Sequence, residues 1–524
     1  MARPFPVTSE ALGSASFPRR AVIVLFVAFG LGWGVLPSLV STTLHRDTIQ
    51  ILYWGQEWEL GYFKHPPLIS WLNEPLFLLF GPLDVVYYLE SVALTLLAFW
   101  VVYRFALRYV SPLRSAMAVA ALTVMGYFSY VIPALNHNVL LLLPWCLSIV
   151  FGYEALEERR KAAWPALGLA LGIGILTKYT ILLLPLVFLG HVLGHRKHWP
   201  LLRDPWVWLG VGLCLLVASP HLGWLVDSEF APLTYLADSA GLDSRGFAER
   251  HLLTPLTNLA MMVGMCGSLL LLMVGALGLP RLQGRPASSA EHYLMAVSFG
   301  PAVAVVVLSA ISGGEMRVEW ATTFFATLPI VLLRYLYAAP DGPRLRRFMV
   351  WVAGLNAAMM TTFVLIFGGW INQVPEGEWS RFPDRAVAAA ISESWAKVCP
   401  GPVPVIVSDS WLAGTASYRL PGRPRVYTEA DSFMAPWLSD EDVQDSGGVV
   451  VWNMDNPTQF RELDHQEEIG QAGRIGWFPG LEEMGRRFGP LLGLADATFP
   501  YPPPVTLPPL RLGFAVIPPA KPCR

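Results

Sequence analysis

The sequence predicts a mainly α-helical polytopic membrane protein with a small C-terminal α/β domain outside the membrane. Three observations carry this prediction. Of the 524 residues, 54% are hydrophobic and only 15% are charged, against about 25% charged in an ordinary soluble domain. About eleven apolar runs approach the ~20 residues that a membrane helix needs. Beyond residue 371 the chain becomes less apolar, rich in Pro and Gly, and strand-like. The net charge of -2 and the lack of a basic arm or stripe give no footing for a nucleic-acid partner. Membrane lipids are the implied surroundings.

The first 20 residues are polar and read as a cytoplasmic tail ending at Arg19 and Arg20. The run that follows is long for a signal-peptide core and lacks a clear cleavage site, so it reads as an uncleaved first span. The apolar runs lie near 21–41, 84–106, 115–134, 138–156, 163–180, 181–195, 206–225, 256–279, 293–312, 320–337 and 348–370. If each crosses once, the basic residues fall on alternate loops: Arg104, Arg108 and Arg114, then Arg159, Arg160 and Lys161, then Arg196, Lys197 and Arg203, then Arg281 and Arg285, then Arg344, Arg346 and Arg347. The positive-inside rule makes that side cytoplasmic. The predicted organisation is a membrane domain over 21–371, with a first outer loop at 42–83, and an outer domain over 372–524.

In the outer domain, Val403–Val407, Val449–Trp452 and Leu512–Ile517 read as strands and Arg385–Lys397 as a helix. Its length, about 150 residues, suits one core. Cys399 and Cys523 lie here and can pair if the compartment is oxidising. Cys146, Cys214 and Cys266 lie inside apolar runs and read as buried small side chains. No internal repeat is seen, which speaks against a transporter built from paired halves.

Unusual polar residues collect on the loops opposite the basic ones. Asp47 follows the first span, where a carboxylate can cap a helix or act as a base. Tyr53, Trp54, Trp58 and Tyr62 recur at helical spacing, as in a surface helix at the headgroup level, and their faces also suit a sugar. Lys64, His65, Pro66 and Pro67 form a cationic rigid turn, able to meet a lipid phosphate or simply to snorkel. Asn136, His137 and Asn138 make a polar turn between spans. Lys178 sits in apolar sequence on both sides, a costly place for a charge that has no partner or cavity. Arg317 stands beside Glu315, and the two can pair. His221 reads as a satisfied helix-end histidine. No His or acid shows a metal-ligand spacing such as HExxH, so no metal ligand is assigned and a divalent cation is neither implied nor excluded.

The segment LYWGQEWELGYFKHPPLISWL with Asp47 resembles the first outer loop of the GT-C membrane glycosyltransferases of family 39 type, which include the protein O-mannosyltransferases and the lipid A aminoarabinose transferases. Asp47 takes the family's Asp position, Trp54 its Trp, and Gly61, Tyr62, Pro66 and Pro67 its turn. GLALGIGILTKYT resembles the family's Gly-rich helix ending in Leu-Thr-Lys-Tyr, with Lys178 as the Lys. Thr48 stands where a second acid is usual, and Asn136-His137-Asn138 where many members have an Asp. The resemblance implies a GT-C fold and an inverting transfer of a sugar from a polyisoprenyl-phosphate donor. The acceptor would be lipid A, lipopolysaccharide or another envelope glycan, at the outer face of a bacterial inner membrane. Asp47 would be the base. Lys64, His65, Lys178 and Arg317 would hold the donor phosphate. Tyr53, Trp54, Tyr62, Asn136, His137 and Asn138 would shape the sugar or acceptor pocket. The alternatives are a protein O-glycosyltransferase and a transporter or flippase of lipid-linked sugars.

Overall fold

The computed structural model describes residues 9–239, 246–371, 380–455, 480–521 and 523. In chain order, α1 is Ser9–Val40, α2 Arg46–Gly55, α3 Leu68–Phe80, α4 Asp84–Ala106, α5 Pro112–Leu122, α6 His137–Leu156, α7 Ala163–Thr177 and α8 Leu183–Gly194. They are followed by α9 Pro205–Asp227, α10 Ala231–Ser239, α11 Thr254–Met265, α12 Gly267–Leu277, α13 Ser289–Ser312, α14 Leu328–Tyr335 and α15 Gly342–Phe367. The last part alternates: α16 Asp384–Ala396, β1 Val405–Ser408, α17 Ser410–Arg419, β2 Arg425–Thr428, α18 Asp440–Ser446, β3 Gly448–Asn453, α19 Gly480–Phe488, β4 Leu492–Phe499 and β5 Leu510–Ile517. Two compact units result. One comprises Met1–Leu36, Tyr88–Pro220 and Gly246–Thr362, the other Pro37–Tyr87, His221–Arg245 and Phe363–Arg524.

The first unit is helical. Among the described residues, six helices are long and apolar enough to cross a bilayer, and two bent pairs raise that to as many as eight. The expected eleven runs therefore resolve differently. The run at 115–134 ends as a helix at Leu122 and continues through turns and a short 3-10 segment at Gly126–Phe128. The run at 320–337 is a 3-10 turn, Val318–Ala321, followed by the eight-residue α14. α7 has only 15 residues, because the chain leaves helical geometry at Lys178 (φ -165°, ψ 137°). Apolar composition alone does not say whether a run is one straight helix. Local breaks decide that, and a protein interior can hold irregular backbone that lipid cannot.

Caps mark several helix starts. Ser288 and Glu291 form a reciprocal capping box at α13, which ends at the left-handed Gly313. Ser111 caps α5, with Pro112 at the first helical position. α6 is largely buried in the unit, whereas α9 and α15 expose most of their apolar surface, as lipid-facing helices should. Aromatic pairs fill the interior, among them Trp145 stacked on Phe324 and Phe188 stacked on Tyr293.

The second unit contains a five-stranded sheet of order β2-β1-β3-β5-β4. β2, β1 and β3 are parallel, and β5 joins β3 antiparallel, with Val450 opposite Ala515. Every residue of β1 is buried, so it reads as the continuous apolar run typical of parallel strands covered on both faces. The three expected strands and the expected helix match β1, β3, β5 and α16 to within a few residues. β2 and the exposed edge strand β4 have no strong apolar run. Cys399 and Cys523 are disulfide-bonded, with Cα atoms 5.5 Å apart.

In the same unit the loop 42–83 packs against the sheet domain. α2 lies on α17, and Gly414 makes this possible. A Cβ there would come within 2.7 Å of both Ile49 and Tyr53. At the carboxyl ends of β1 and β2, the Tyr53 hydroxyl meets Ser410 Oγ at 3.0 Å and Thr428 Oγ1 at 3.5 Å, and Gln50 Nε2 donates to Ser410 at 3.2 Å. Three arginines complete the attachment. Arg423 forks onto both Glu74 oxygens at 2.7 Å, donates to Leu52 O and lies 3.8 Å over the Phe77 ring. Arg425 binds Glu57 at 2.6 Å. Arg419 joins Asp384 (2.5 Å), Asp84 (2.8 Å) and the carbonyl of Thr42 (3.0 Å).

Candidate functional site

The predicted site residues fall into two groups, one in each unit. In the second unit, Asp47 occupies the first turn of α2, where the helix N-terminus favours negative charge. Its backbone N–H donates to His45 Nδ1 at 3.1 Å, and its carboxylate lies 3.9 Å from the same ring. The side chain is 39% exposed. Arg46, at the start of α2, is exposed beside it.

The loop then folds tightly. Tyr62 and His65 exchange backbone hydrogen bonds (3.0 and 3.1 Å), and Pro66 and Pro67 lead into α3. This bridge holds Lys64 at the tip, half-buried, with its ammonium 5.5 Å from the Phe63 ring and 5.7 Å from the Tyr235 ring. The rigid cationic turn is as expected.

The aromatic residues differ from the expected surface helix. α2 ends at Gly55, Trp58 has positive φ, and Tyr62 lies in the bridge rather than on a helix. Tyr53, Trp54 and Tyr62 are buried. Trp54 stacks on Tyr62 at 4.4 Å, and Trp437 packs against Tyr53 and Tyr62. Burial pushes both phenols above their usual range, and Tyr62 donates to the Trp54 carbonyl at 2.8 Å. These rings brace the loop from within. Their faces are covered by one another because close packing removes more apolar area from water than a headgroup belt does.

Gly61 shows how tight the packing is. A Cβ there would lie 2.2 Å from the Trp224 ring, and His221 stacks on that ring while bonding the Leu60 carbonyl at 2.8 Å. His221 is thus the satisfied histidine that the sequence implied. Gly61→Ala is expected to destabilise the loop by about 1–3 kcal/mol through overpacking. Faster proteolysis within 42–83 in the folded protein checks this, and an unchanged rate contradicts it.

In the first unit, Asn136, His137, Asn138, Lys178 and the turn at Arg317 converge. Asn136 caps α6, accepting the N–H groups of Asn138 (2.9 Å) and Val139 (3.3 Å). His137 and Asn138 are buried at the start of this helix. Lys178, only 7% exposed, donates to Asn138 Oδ1 at 2.6 Å, and its ammonium lies 5.5 Å from the Trp320 ring. Trp320 bonds back to the Arg317 carbonyl at 3.0 Å, and Arg317 itself is exposed. A buried ammonium beside the N-terminus of a 20-residue helix makes an electropositive corner suited to an anion.

Sequence reasoning missed Trp320, Trp437, Tyr235 and Ser410. Each meets its partner across more than 100 residues of chain, and no local pattern marks that.

Residues 64–224 match the sequence family described as dolichyl-phosphate-mannose-protein mannosyltransferase. Two proteins of Rhizobium johnstonii are similar over most of the chain. The lipid A galacturonosyltransferase RgtD is 24% identical over 66% of this chain and 72% of its own length. The lipopolysaccharide core galacturonosyltransferase RgtA is 24% identical over 80% of this chain and 83% of its own. The crystal structure of ArnT from Cupriavidus metallidurans bound to undecaprenyl phosphate superposes with a TM-score of 0.61 at 16% identity, covering 94% of this chain and 97% of that one.

Proposed function

We propose that the chain, which is similar over residues 64–224 to the family described as dolichyl-phosphate-mannose-protein mannosyltransferase and over most of its length to lipid A and lipopolysaccharide core galacturonosyltransferases, transfers a sugar from a polyisoprenyl-phosphate donor to lipid A, lipopolysaccharide or another envelope glycan. The reaction takes place at the outer face of the bacterial inner membrane. The observation that carries this reading is the buried Lys178, held by Asn138 and faced by Trp320 in the first unit. A fixed cation out of bulk water suits a phosphate that gains charge as it departs. A disulfide in the sheet domain agrees with an oxidising compartment on that side.

Asp47 takes the proton of the acceptor hydroxyl. The hydroxyl oxygen attacks the anomeric carbon from the face opposite the phosphate, the bond to the phosphate breaks, and configuration inverts. Lys178 and Arg317 meet the phosphate, and Lys64 and His65 are further cations proposed for it. Asn136, His137 and Asn138 line the sugar or acceptor pocket, whereas Tyr53, Trp54 and Tyr62 support the loop that carries Asp47. The phosphate-linked donor is already activated for displacement.

The test is a reconstituted vesicle assay with polyprenyl-phosphate sugar and lipid A, reading release of free polyprenyl phosphate together with sugar on the lipid. Equal release and transfer that depend on the chain support the proposal. Movement of intact donor without release contradicts it and favours a flippase. Lys178→Ala is expected to weaken binding of polyprenyl phosphate at least tenfold, the scale of a lost charge-assisted contact of about 1.5–3 kcal/mol. Unchanged binding removes Lys178 from this role.

A further inference from the structure

We propose that Glu157, His191 and His198 form a binding site for a divalent transition-metal ion of the zinc class, on the basic face of the first unit. The inference stands apart from the glycosyl-transfer reading and uses none of its residues.

Glu157 follows the C-terminus of α6, His191 lies in the last turn of α8, and His198 lies in the 3-10 segment Arg196–Arg203. That segment turns 119° away from α8, which folds His198 back toward His191. The side chains are 6%, 1% and 0% exposed respectively. Their donor atoms all lie within 4.8 Å of one another. Tetrahedral zinc at 2.0–2.1 Å from N and O donors sets ligand atoms roughly 3.3 Å apart, so small inward or outward shifts suffice.

The local hydrogen bonding is crowded. Glu157 Oε1 is approached by Ser289 Oγ (2.6 Å), His191 Nε2 (2.8 Å) and His198 Nε2 (3.0 Å). A carboxylate oxygen offers about two lone-pair positions. A cation among these groups uses the two imidazole lone pairs and the carboxylate together, with Ser289 Oγ or water as the fourth ligand. Two His and one Glu plus an open position is a donor set that zinc accepts. Lys197 bonds the other oxygen, Oε2, at 2.9 Å, which leaves Oε1 turned inward.

One neighbour opposes the ion. Arg159 donates to the Lys197 carbonyl at 2.6 Å and approaches His198 Nδ1 at 3.2 Å. A histidine that ligates through Nε2 needs its Nδ1–H to face an acceptor, and a guanidinium is none. Arg159 must therefore withdraw when metal binds. The adjacent pair His195 and His292, 3.1 Å apart, lies outside the ligand set.

The experiment uses the full chain in lipid nanodiscs, stripped with chelator and dialysed against zinc(II) alone. Metal per chain is read by elemental analysis and the unfolding temperature in parallel. The expected result is one zinc per chain and a higher unfolding temperature. His191→Ala, His198→Gln and Glu157→Gln should each weaken binding at least about tenfold, and Arg159→Ala should tighten it. His198→Gln and Glu157→Gln keep side chains of similar size in the cluster, so their loss of metal at unchanged chelator-treated stability separates ligation from folding. Less than a tenth of a zinc per chain overturns the proposal. So does binding that the three ligand variants leave unaltered.

Discussion

Asp47→Asn is expected to lower turnover about 10²–10⁴-fold, the usual contribution of a positioned general base, and to leave the chain folded. Asparagine keeps the shape of the side chain, and the backbone bond from residue 47 to His45 Nδ1 does not depend on the carboxylate. At 39% exposure the side chain carries little packing energy. The loss should therefore fall on the chemical step, with donor binding retained. The vesicle assay gives the turnover, and a thermal unfolding curve checks the fold. Near-normal turnover in a folded variant takes Asp47 out of the base role.

Arg419→Ala is expected to destabilise the second unit by about 3–5 kcal/mol, the cost of leaving buried charges uncompensated. The Arg419 side chain is 6% exposed and binds Asp84 and Asp384 together, while also donating to the carbonyls of Thr42 and Pro82. The nearby carboxylates hold its guanidinium above the usual range although burial works against the charge. Removing it strips both acids and both carbonyls at once. Arg419→Lys should recover only part of the loss, because an ammonium is a point charge and cannot fork to several acceptors. Denaturant unfolding followed by tryptophan fluorescence measures the difference. Equal stability of the Ala variant shows that the acids are satisfied by other means.

The fold was legible wherever one local pattern sufficed. Long apolar runs without breaks, such as 84–106 and 293–312, became helices close to their expected bounds. The buried strands β1, β3 and β5 read as apolar runs because both their faces are covered. Run 115–134 was not legible as a broken helix, because hydropathy averages over the break and a Gly or Pro near the middle does not mark one: Gly300 and Pro301 lie inside the unbroken α13. The edge strand β4 shows seven of its eight residues wholly or partly exposed, so it carries no apolar signature.

The site was legible as residue types and less so as roles. Lys178 stood out because a charge in apolar sequence is costly, and its partners Asn138 and Trp320 came only from the fold. Tyr53, Trp54 and Tyr62 looked like a surface belt because their spacing suits a helix. Trp437, nearly 400 residues further on, is what covers two of them. The histidine cluster shows the same limit. His191, His195 and His198 crowd into eight residues, but no acid lies among them. Glu157 joins them from another helix.

By itself, the sequence determined that this is a chain of apolar helices with a polar, strand-forming tail, and it marked Asp47, the Lys64 turn and Lys178 as out of place there. Composition and short-range order are enough for that, since burial in lipid and helix length depend on neighbouring residues. The tertiary structure alone decided that loop 42–83 is fastened to the sheet domain by Arg419, Arg423 and Arg425, and that Glu157 meets two histidines. Such contacts join segments far apart in the chain. Their free energy comes from burial and from paired charges, and neither exists until the chain has folded.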